Sequence, residues 1–358
     1  MKPARPNLRD FSPATLRARF KAEGISAFRA DQVAQWLYAR GVDDPAQMTD
    51  LPAELREQLA REYEPRALRV RDAQRSVDGT LKAALVTYDE RVIEAVLIPE
   101  EERTTMCVST QVGCPLACSF CATGTLGLER NLGVAEIVEQ VVRMAELLPD
   151  DRRITNIVFM GMGEPLLNLA NVVEAVKTLL HPKGFAMAPR RVTVSTAGVV
   201  PRIADLLAQV PVNLAVSLHA ATDALRDELV PINRKFPLAD LFAALRAIPR
   251  LGRRHPIFFE YTLLAGVNDS RDDARRLVDL LRGTPAKVNL IPVNPHPGSP
   301  YRAPAPEVAE RFMAVLANAG LTVTLRRSRG ADIDAACGQL AARPARAAEL
   351  AQSSVVSD

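Results

Sequence analysis

Cysteine and histidine are scarce in this chain, with five Cys and four His among 358 residues. So few cysteines, odd in number, exclude the disulfide framework that staples small secreted proteins. A zinc site is usually completed by histidines or by a second C-x₂-C-like knuckle, and neither follows the one cysteine cluster present. Long apolar runs are also missing, so no segment reads as a membrane span. The N-terminus, MKPARPNLRDFSPATLRARF, lacks the apolar core of about 7–15 residues that marks a secretory signal, and Asp10 is foreign to an acid-poor transit peptide. A cytoplasmic location is therefore expected, where thiols stay reduced. Charge of one sign is lacking too. The 45 Lys and Arg nearly balance 42 Asp and Glu, leaving a formal +3, which is weak for a dedicated nucleic-acid module.

What is present is an ordinary globular balance of 48% apolar and 24% charged residues, enough for one large domain and a small one. Four of the five cysteines fall within residues 107 to 127, CVSTQVGCPLACSFCATGTLG. Cys114, Cys118 and Cys121 form C-x₃-C-x₂-C, short enough for one loop to wrap three thiolates round a metal centre, with Gly113 and Pro115 shaping the turn. A 4Fe–4S cluster normally takes four cysteines, so three would leave one iron open to a small molecule. Arginines cluster as Arg152-Arg153, Arg190-Arg191, Arg253-Arg254 and Arg326-Arg327 with Arg329. Each reads either as solvated surface or as phosphate contact.

In chain order, residues 1–75 read as a small helical domain, with helices over Pro13 to Ala22, Ala30 to Tyr38 and Pro52 to Tyr63. Residues 76–103 alternate in the manner of a β-hairpin, with Asp89-Glu90 at its turn. Glu94 lies in its second strand, where it could simply point outward. From 104 to 340, apolar runs at Thr104 to Thr110, Ile154 to Met160, Arg191 to Thr196, Val212 to His219, Ile257 to Leu264 and Lys287 to Val293 alternate with helical stretches. Six such units predict an α/β fold with an open, partial (βα)₆ barrel, followed by one more strand over Leu321 to Arg326. Sites in such barrels lie at the C-terminal strand ends, and the glycine-rich and polar words fall there. Residues 341–358 are Ala-rich with a polar end and read as a poorly ordered tail.

The cysteine loop resembles the signature of the radical SAM superfamily. The wider words QVGCPLACSFCATG, GMGEPLLN, VSTAG, SLHA, NPHPGSPY and DIDAACGQL resemble the RNA adenosine C2-methyltransferases of the RlmN type, from about residue 94 to 340 and more loosely toward the N-terminus. The resemblance implies a 4Fe–4S cluster on Cys114, Cys118 and Cys121, and S-adenosylmethionine chelating the open iron. It further implies cofactor contacts at Gly163, Glu164, Ser195, Ser217, Leu218, His219 and Asn294. Cys107 and Cys337 are outside the triad and, taken singly, read as inert buried thiols. However, Cys107 precedes the cluster loop by seven residues and Cys337 sits in a small-residue turn. The resemblance makes them the catalytic pair, Cys337 carrying a methyl group and Cys107 resolving the adduct through a transient disulfide, with Glu94 as general base. Two S-adenosylmethionine molecules would serve each turnover, one as methyl donor and one as radical source. The implied partners are 23S rRNA, tRNAs and an electron donor such as flavodoxin or ferredoxin, with the enzyme a monomer and no membrane involved. Any RNA-contacting role for the helical domain rests on the resemblance alone. The alternatives are the sister C8-adenosine methyltransferase, a radical SAM activase that would need neither Cys107 nor Cys337, and a zinc-stabilised RNA-binding protein.

Overall fold

The computed structural model describes residues 5–249, 252 and 255–341. The chain begins with helices α1 (Pro13–Ala22), α2 (Ala27–Ala34) and α3 (Ala53–Glu62). Ser12 caps α1 by accepting from the Thr15 N–H, and Pro13 occupies the first turn, where no donor is needed. Leu16 with Phe20, Val33 with Leu37, and Leu55 with Leu59 recur at i, i+4 and are buried together. The strands that follow are β1 (Leu68–Arg75), β2 (Leu81–Thr87), β3 (Val92–Pro99) and β4 (Thr104–Cys107). β1 corrects the sequence reading, which placed the whole of 1–75 with the helices. LRVRDAQR shows no apolar alternation because it is an edge strand, and only Leu68 is fully buried. The expected hairpin is thus a three-stranded antiparallel unit that joins the main sheet through β3 and β4.

Beyond β4, strand and helix alternate: a small ribbon of β5 (Gln111–Gly113) and β6 (Leu128–Asn131), then α4 (Val134–Ala145), β7 (Asn156–Phe159), α5 (Leu169–Leu180), β8 (Val192–Thr196), α6 (Val200–Gln209), β9 (Asn213–Ser217), α7 (Asp223–Leu229), α8 (Leu238–Arg246), β10 (Ile257–Leu263), α9 (Arg271–Leu281), β11 (Ala286–Pro292), α10 (Pro306–Asn318) and β12 (Thr322–Leu325). The sheet order is β1-β2-β3-β4-β7-β8-β9-β10-β11-β12, parallel from β4 onward. This is the expected α/β partial barrel, and its strands open at their C-terminal ends onto one cavity.

A buried ion network docks the helical region onto α4. Asp43 forms an ion pair with Arg9 at 2.7 Å and accepts from Arg143 at 2.6 Å and Arg66 at 2.8 Å, while Glu139 accepts from the Ala67 N–H at 2.7 Å. Arg9 is fully buried, so its charge is tolerable only with these partners in place. Among the arginine pairs, Arg152 donates to the Glu100 carbonyl, Arg191 to Asn156, and Arg329 to the carbonyls of Asp78 and Pro99. Arg253 and Arg254, and all of the expected tail after Ala341, lie outside the described residues. Among the described residues no helix is long and apolar enough to cross a membrane.

Candidate active site

The cysteine loop hangs from the end of β4 and is tied at its neck. β5 pairs antiparallel with β6, and the Cys114 N–H donates to the Gly127 carbonyl at 2.9 Å. A Cβ on Gly113, whose φ is +76°, would lie 1.8 Å from that carbonyl oxygen, so no side chain fits here. Within the loop the Cys121 N–H donates to Cys118 O at 3.1 Å and the Gly124 N–H to Cys121 O at 3.0 Å. The three thiols line one cavity and pack against an apolar shell that includes Leu116, Phe120, Leu229 and Val293. Burial pushes the Cys114 thiol up to about 12 and the Cys118 thiol still higher. Thiolates here are favoured only with positive charge set among them, which is what metal ligation supplies. Three thiols on one short loop, opening onto a cavity, are the donor set that a 4Fe–4S cluster takes when one of its irons is left to a small molecule, so the residues fit the cluster.

The neighbouring strand ends bring the other expected residues to the same cavity. Gly163 follows β7 with φ +100°, and a Cβ there would strike Gln111 Cβ at 2.5 Å. Its glycine therefore serves close packing against the cysteine-loop ribbon. Glu164 lines the cavity, its carboxylate accepting from the Leu166 N–H at 3.0 Å and the Ala197 N–H at 2.8 Å. Burial raises its pKa to about 7 against the pull of those donors. Ser195 and Ser217, at the ends of β8 and β9, place their hydroxyl oxygens 3.4 Å apart. His219 takes a left-handed φ of 59°, stands edge-on to Phe120 and accepts from the Thr262 N–H through Nδ1 at 3.0 Å. Burial drops its pKa to about 3, so the ring is neutral and carries its proton on Nε2. Leu218 is fully buried and serves through its main chain: its N–H donates to Glu260 O and its carbonyl accepts from Arg226. Asn294, after β11, donates to the Cys337 carbonyl at 3.3 Å and accepts from Ser328.

Cys337 is delivered by the segment after β12, which is held by backbone bonds. The Ala122 N–H donates to Gly338 O at 2.7 Å, Thr123 Oγ1 to Leu340 O at 2.6 Å, and the Ala341 N–H to Glu94 Oε2 at 2.9 Å. Cys337 is exposed to solvent yet deep within protein because it faces the cavity, and burial raises its pKa. The antiparallel register puts Glu94, Val96 and the Val96 partner Cys107 on the sheet face that this segment covers. Cys107 is buried, its thiol pushed up to about 12 by burial and further by the nearby Cys337. Both are free thiols. Glu94 is 2% exposed, so it does not point outward to solvent, and its Oε1 lies 3.4 Å from Lys82 Nζ. Neither Cys107 nor Glu94 lines the cavity itself in this conformation.

Sequence reasoning missed two residues here and misplaced a third. Arg226, fully buried, donates to the carbonyls of Ala197, Ser217 and Leu218 and so stitches the ends of β8 and β9 together. Glu260 and Arg326 also line the cavity. Arg226 and Glu260 read as ordinary charged positions that no spacing sets apart, whereas Arg326 stood out only as one of a clustered arginine pair, as solvated surface or phosphate contact.

A cysteine loop, cavity and partial barrel so arranged define a radical SAM enzyme, and the Radical SAM superfamily model matches residues 108–280. Residues 6–64 match the Ribosomal RNA large subunit methyltransferase N-terminal domain. The chain is 50% identical over 345 residues to the dual-specificity RNA methyltransferase RlmN of Anaeromyxobacter sp. (strain Fw109-5), covering 94% of this chain and 91% of that protein. It is 48% identical to the protein of the same name from Marinobacter nauticus (strain ATCC 700491 / DSM 11845 / VT8), covering 94% and 93%. The crystal structure of a radical SAM methyltransferase from Sphaerobacter thermophilus superposes with a TM-score of 0.87 at 44% identity, over 94% of this chain and 100% of that one. The chain belongs to the RlmN family of dual-specificity RNA methyltransferases.

Proposed function

We propose that this protein methylates C2 of adenosine in 23S rRNA and in tRNAs, with Cys337 as the methyl carrier. The observation that carries the reading is the position of Cys337, which faces the cavity lined by Cys114, Cys118 and Cys121 and stands close to Cys107. C2 of adenine is an electron-poor sp² carbon and does not displace a methyl group from a sulfonium by polar attack. When bound, the 4Fe–4S cluster and S-adenosylmethionine supply the methyl carbon and the radical initiation that a polar route lacks. Cys114, Cys118 and Cys121 hold the cluster, and Gly163, Glu164, Ser195, Ser217, Leu218, His219 and Asn294 surround the cofactor. Asn294 also holds the Cys337 carbonyl, so cofactor and methyl carrier share one support.

Cys337 would keep the methyl as a thioether, give up one hydrogen atom from it to the radical chemistry that the bound cofactor supplies, and join C2 of the base through that carbon. Glu94 accepts the C2 proton. Its Oε2 already accepts from Ala341, so that role requires the 335–341 segment to yield as the adenosine enters. Cys107 then forms a disulfide with the Cys337 sulfur as the carbon–sulfur bond to RNA breaks. The adenosine is taken from single-stranded or locally unpaired RNA and turned into the cavity, with residues 6–64 contributing RNA contacts. A flavodoxin or ferredoxin donates electrons, and the protein works as a monomer in the cytoplasm.

The test is to incubate the cluster-loaded protein with rRNA and tRNA transcripts, reductant and S-adenosylmethionine, then digest and analyse the nucleosides by mass spectrometry. 2-Methyladenosine in both RNAs is expected. 8-Methyladenosine would move the chain to the sister activity, and no methyladenosine would overturn the reading. Glu94→Gln should still methylate Cys337 while RNA product forms about 10²–10⁴-fold more slowly, the usual loss for a missing general base. Product formation at the wild-type rate would reduce Glu94 to a structural partner of Lys82.

A further inference from the structure

Lys82 is the one charged residue of β2, and its side chain turns inward with only 12% exposed. Its Nζ lies 3.4 Å from Glu94 Oε1 and donates to the Asp334 carbonyl at 3.3 Å, so one cation touches both the strand of Glu94 and the segment that delivers Cys337. Strand register explains the reach. Lys82 pairs with Val96 and Val96 with Cys107, so the three form a row across β2, β3 and β4, and Glu94, two residues along β3, shares their face. A long side chain reaches a diagonal neighbour in such a ladder. An ammonium and a carboxylate so nearly buried depend on one another, because removing either leaves the other without its counter-charge.

Asp334 belongs to a fixed stem. Ahead of Cys337 the chain is bound to the β1–β2 turn: Ser76 Oγ donates to Asp332 Oδ1 at 2.6 Å, the Gly330 N–H to Asp78 Oδ2 at 2.9 Å, and Arg329 Nη2 to the carbonyls of Asp78 and Pro99 at 2.8 and 2.9 Å. Gly330, at φ +66°, packs so closely that a Cβ would lie 2.7 Å from Thr80 Cγ2. The Ala335 N–H donates back to the Gly330 carbonyl at 2.8 Å and closes the turn that contains Asp334. The bond from Ala341 to Glu94 Oε2 lies on the far side of Cys337, and adenosine entry breaks it. The Lys82 bridge lies on the near side and persists.

We propose that Lys82 is a positioning residue for proton removal: anchored on the Asp334 carbonyl, it keeps hold of Glu94 Oε1 while the 335–341 segment yields, and so keeps the carboxylate aimed at C2 of the adenosine joined to Cys337. This rests on the reading of Glu94 as the base. The base needs such a hold because it acts late, once the Ala341 amide that held it in the resting enzyme has withdrawn. Lys82 does not line the cavity of the cluster thiols, so methylation of Cys337 and radical formation do not depend on it.

Cluster-loaded Lys82→Met, which keeps the aliphatic stem and loses the ammonium, is compared anaerobically with wild type, Glu94→Gln and the double variant on an rRNA transcript with reductant and S-adenosylmethionine. In a single turnover, Cys337 methylation and 5′-deoxyadenosine formation should match wild type, while 2-methyladenosine forms about 10- to 100-fold more slowly, the scale of a misaligned catalytic group. Denatured, nuclease-digested protein should carry the Cys337–nucleotide adduct that awaits proton removal. The double variant should be no slower than Glu94→Gln alone, because losses of two residues that act through one step do not add. Lys82→Arg, which restores the charge and the donors, should recover most of the rate and shed the adduct. Should Lys82→Met melt well below wild type, Lys82→Gln takes its place with the same expectations. Losses that add in the double variant, product formation at the wild-type rate without the ammonium, or reduced methylation of Cys337 each overturn the proposal. So does RNA binding that weakens while turnover at saturating RNA is unchanged, which would make Lys82 a phosphate contact. Glu94→Gln forming product at the wild-type rate overturns instead the reading of Glu94 beneath it.

Discussion

Cys107→Ala protein purified from cells should carry RNA bonded covalently to Cys337. The two thiols differ in placement. Cys337 faces the cavity and can meet the methyl donor and the base, whereas Cys107 is buried on β4 beside it and off the cavity wall. Removing Cys107 leaves methylation of Cys337 and attachment to adenosine intact but removes the sulfur that forms the releasing disulfide. Water or free thiol would have to replace a neighbour whose effective concentration, for well-oriented groups, reaches about 10⁵ M or more. The adduct therefore accumulates. Cys337→Ala, which has no sulfur to methylate, should carry none. Denaturing purification, nuclease digestion and peptide mass spectrometry would show a nucleotide-mass addition on the Cys337 peptide of the first variant only. An unmodified peptide from folded, iron-loaded Cys107→Ala would remove Cys107 from the mechanism.

Loss of any one cluster thiol should be as complete. Cys114→Ala, Cys118→Ala and Cys121→Ala should each lose bound iron, the broad visible absorption of an iron–sulfur chromophore and all formation of 5′-deoxyadenosine. The loop itself should survive, because its neck is closed by the β5–β6 ribbon and the Cys114 N–H to Gly127 carbonyl bond, which alanine keeps. Thermal melts near wild type together with absent iron are the expected pair of observations. A variant that retained full iron and cleaved S-adenosylmethionine would show that its cysteine is not a ligand.

The cluster loop and the barrel were legible because their signals are local. C-x₃-C-x₂-C is complete within eight residues, and runs such as VTVST and NLAVS are buried strands bounded by turns. β1 was not legible because an edge strand need not alternate apolar and polar residues. Glu260 was hidden for a related reason. IFFEYTL is a buried strand, and a lone Glu within it reads as an outward residue until neighbouring strands show that this face lines a cavity. Gly163 was legible as a required glycine, but its reason differs. The close approach is to Gln111, 52 positions earlier in the chain, and such a partner is invisible without the fold.

The backbone bonds from Gly338, Leu340 and Ala341 to Ala122, Thr123 and Glu94 also set an order of assembly. Their partners lie 217 and 247 positions apart for Thr123–Leu340 and Glu94–Ala341, so these are among the most distant contacts in the chain and follow the strands between them. During synthesis the cysteine loop and the barrel strands emerge first, and Cys337, the proposed methyl carrier, arrives after every other part of the site. Until it docks, the loop lacks its Gly338 and Leu340 contacts and Glu94 lacks its amide donor. The side of the cysteine loop that carries Ala122 and Thr123 is thus the last to be covered, by the segment that carries Cys337.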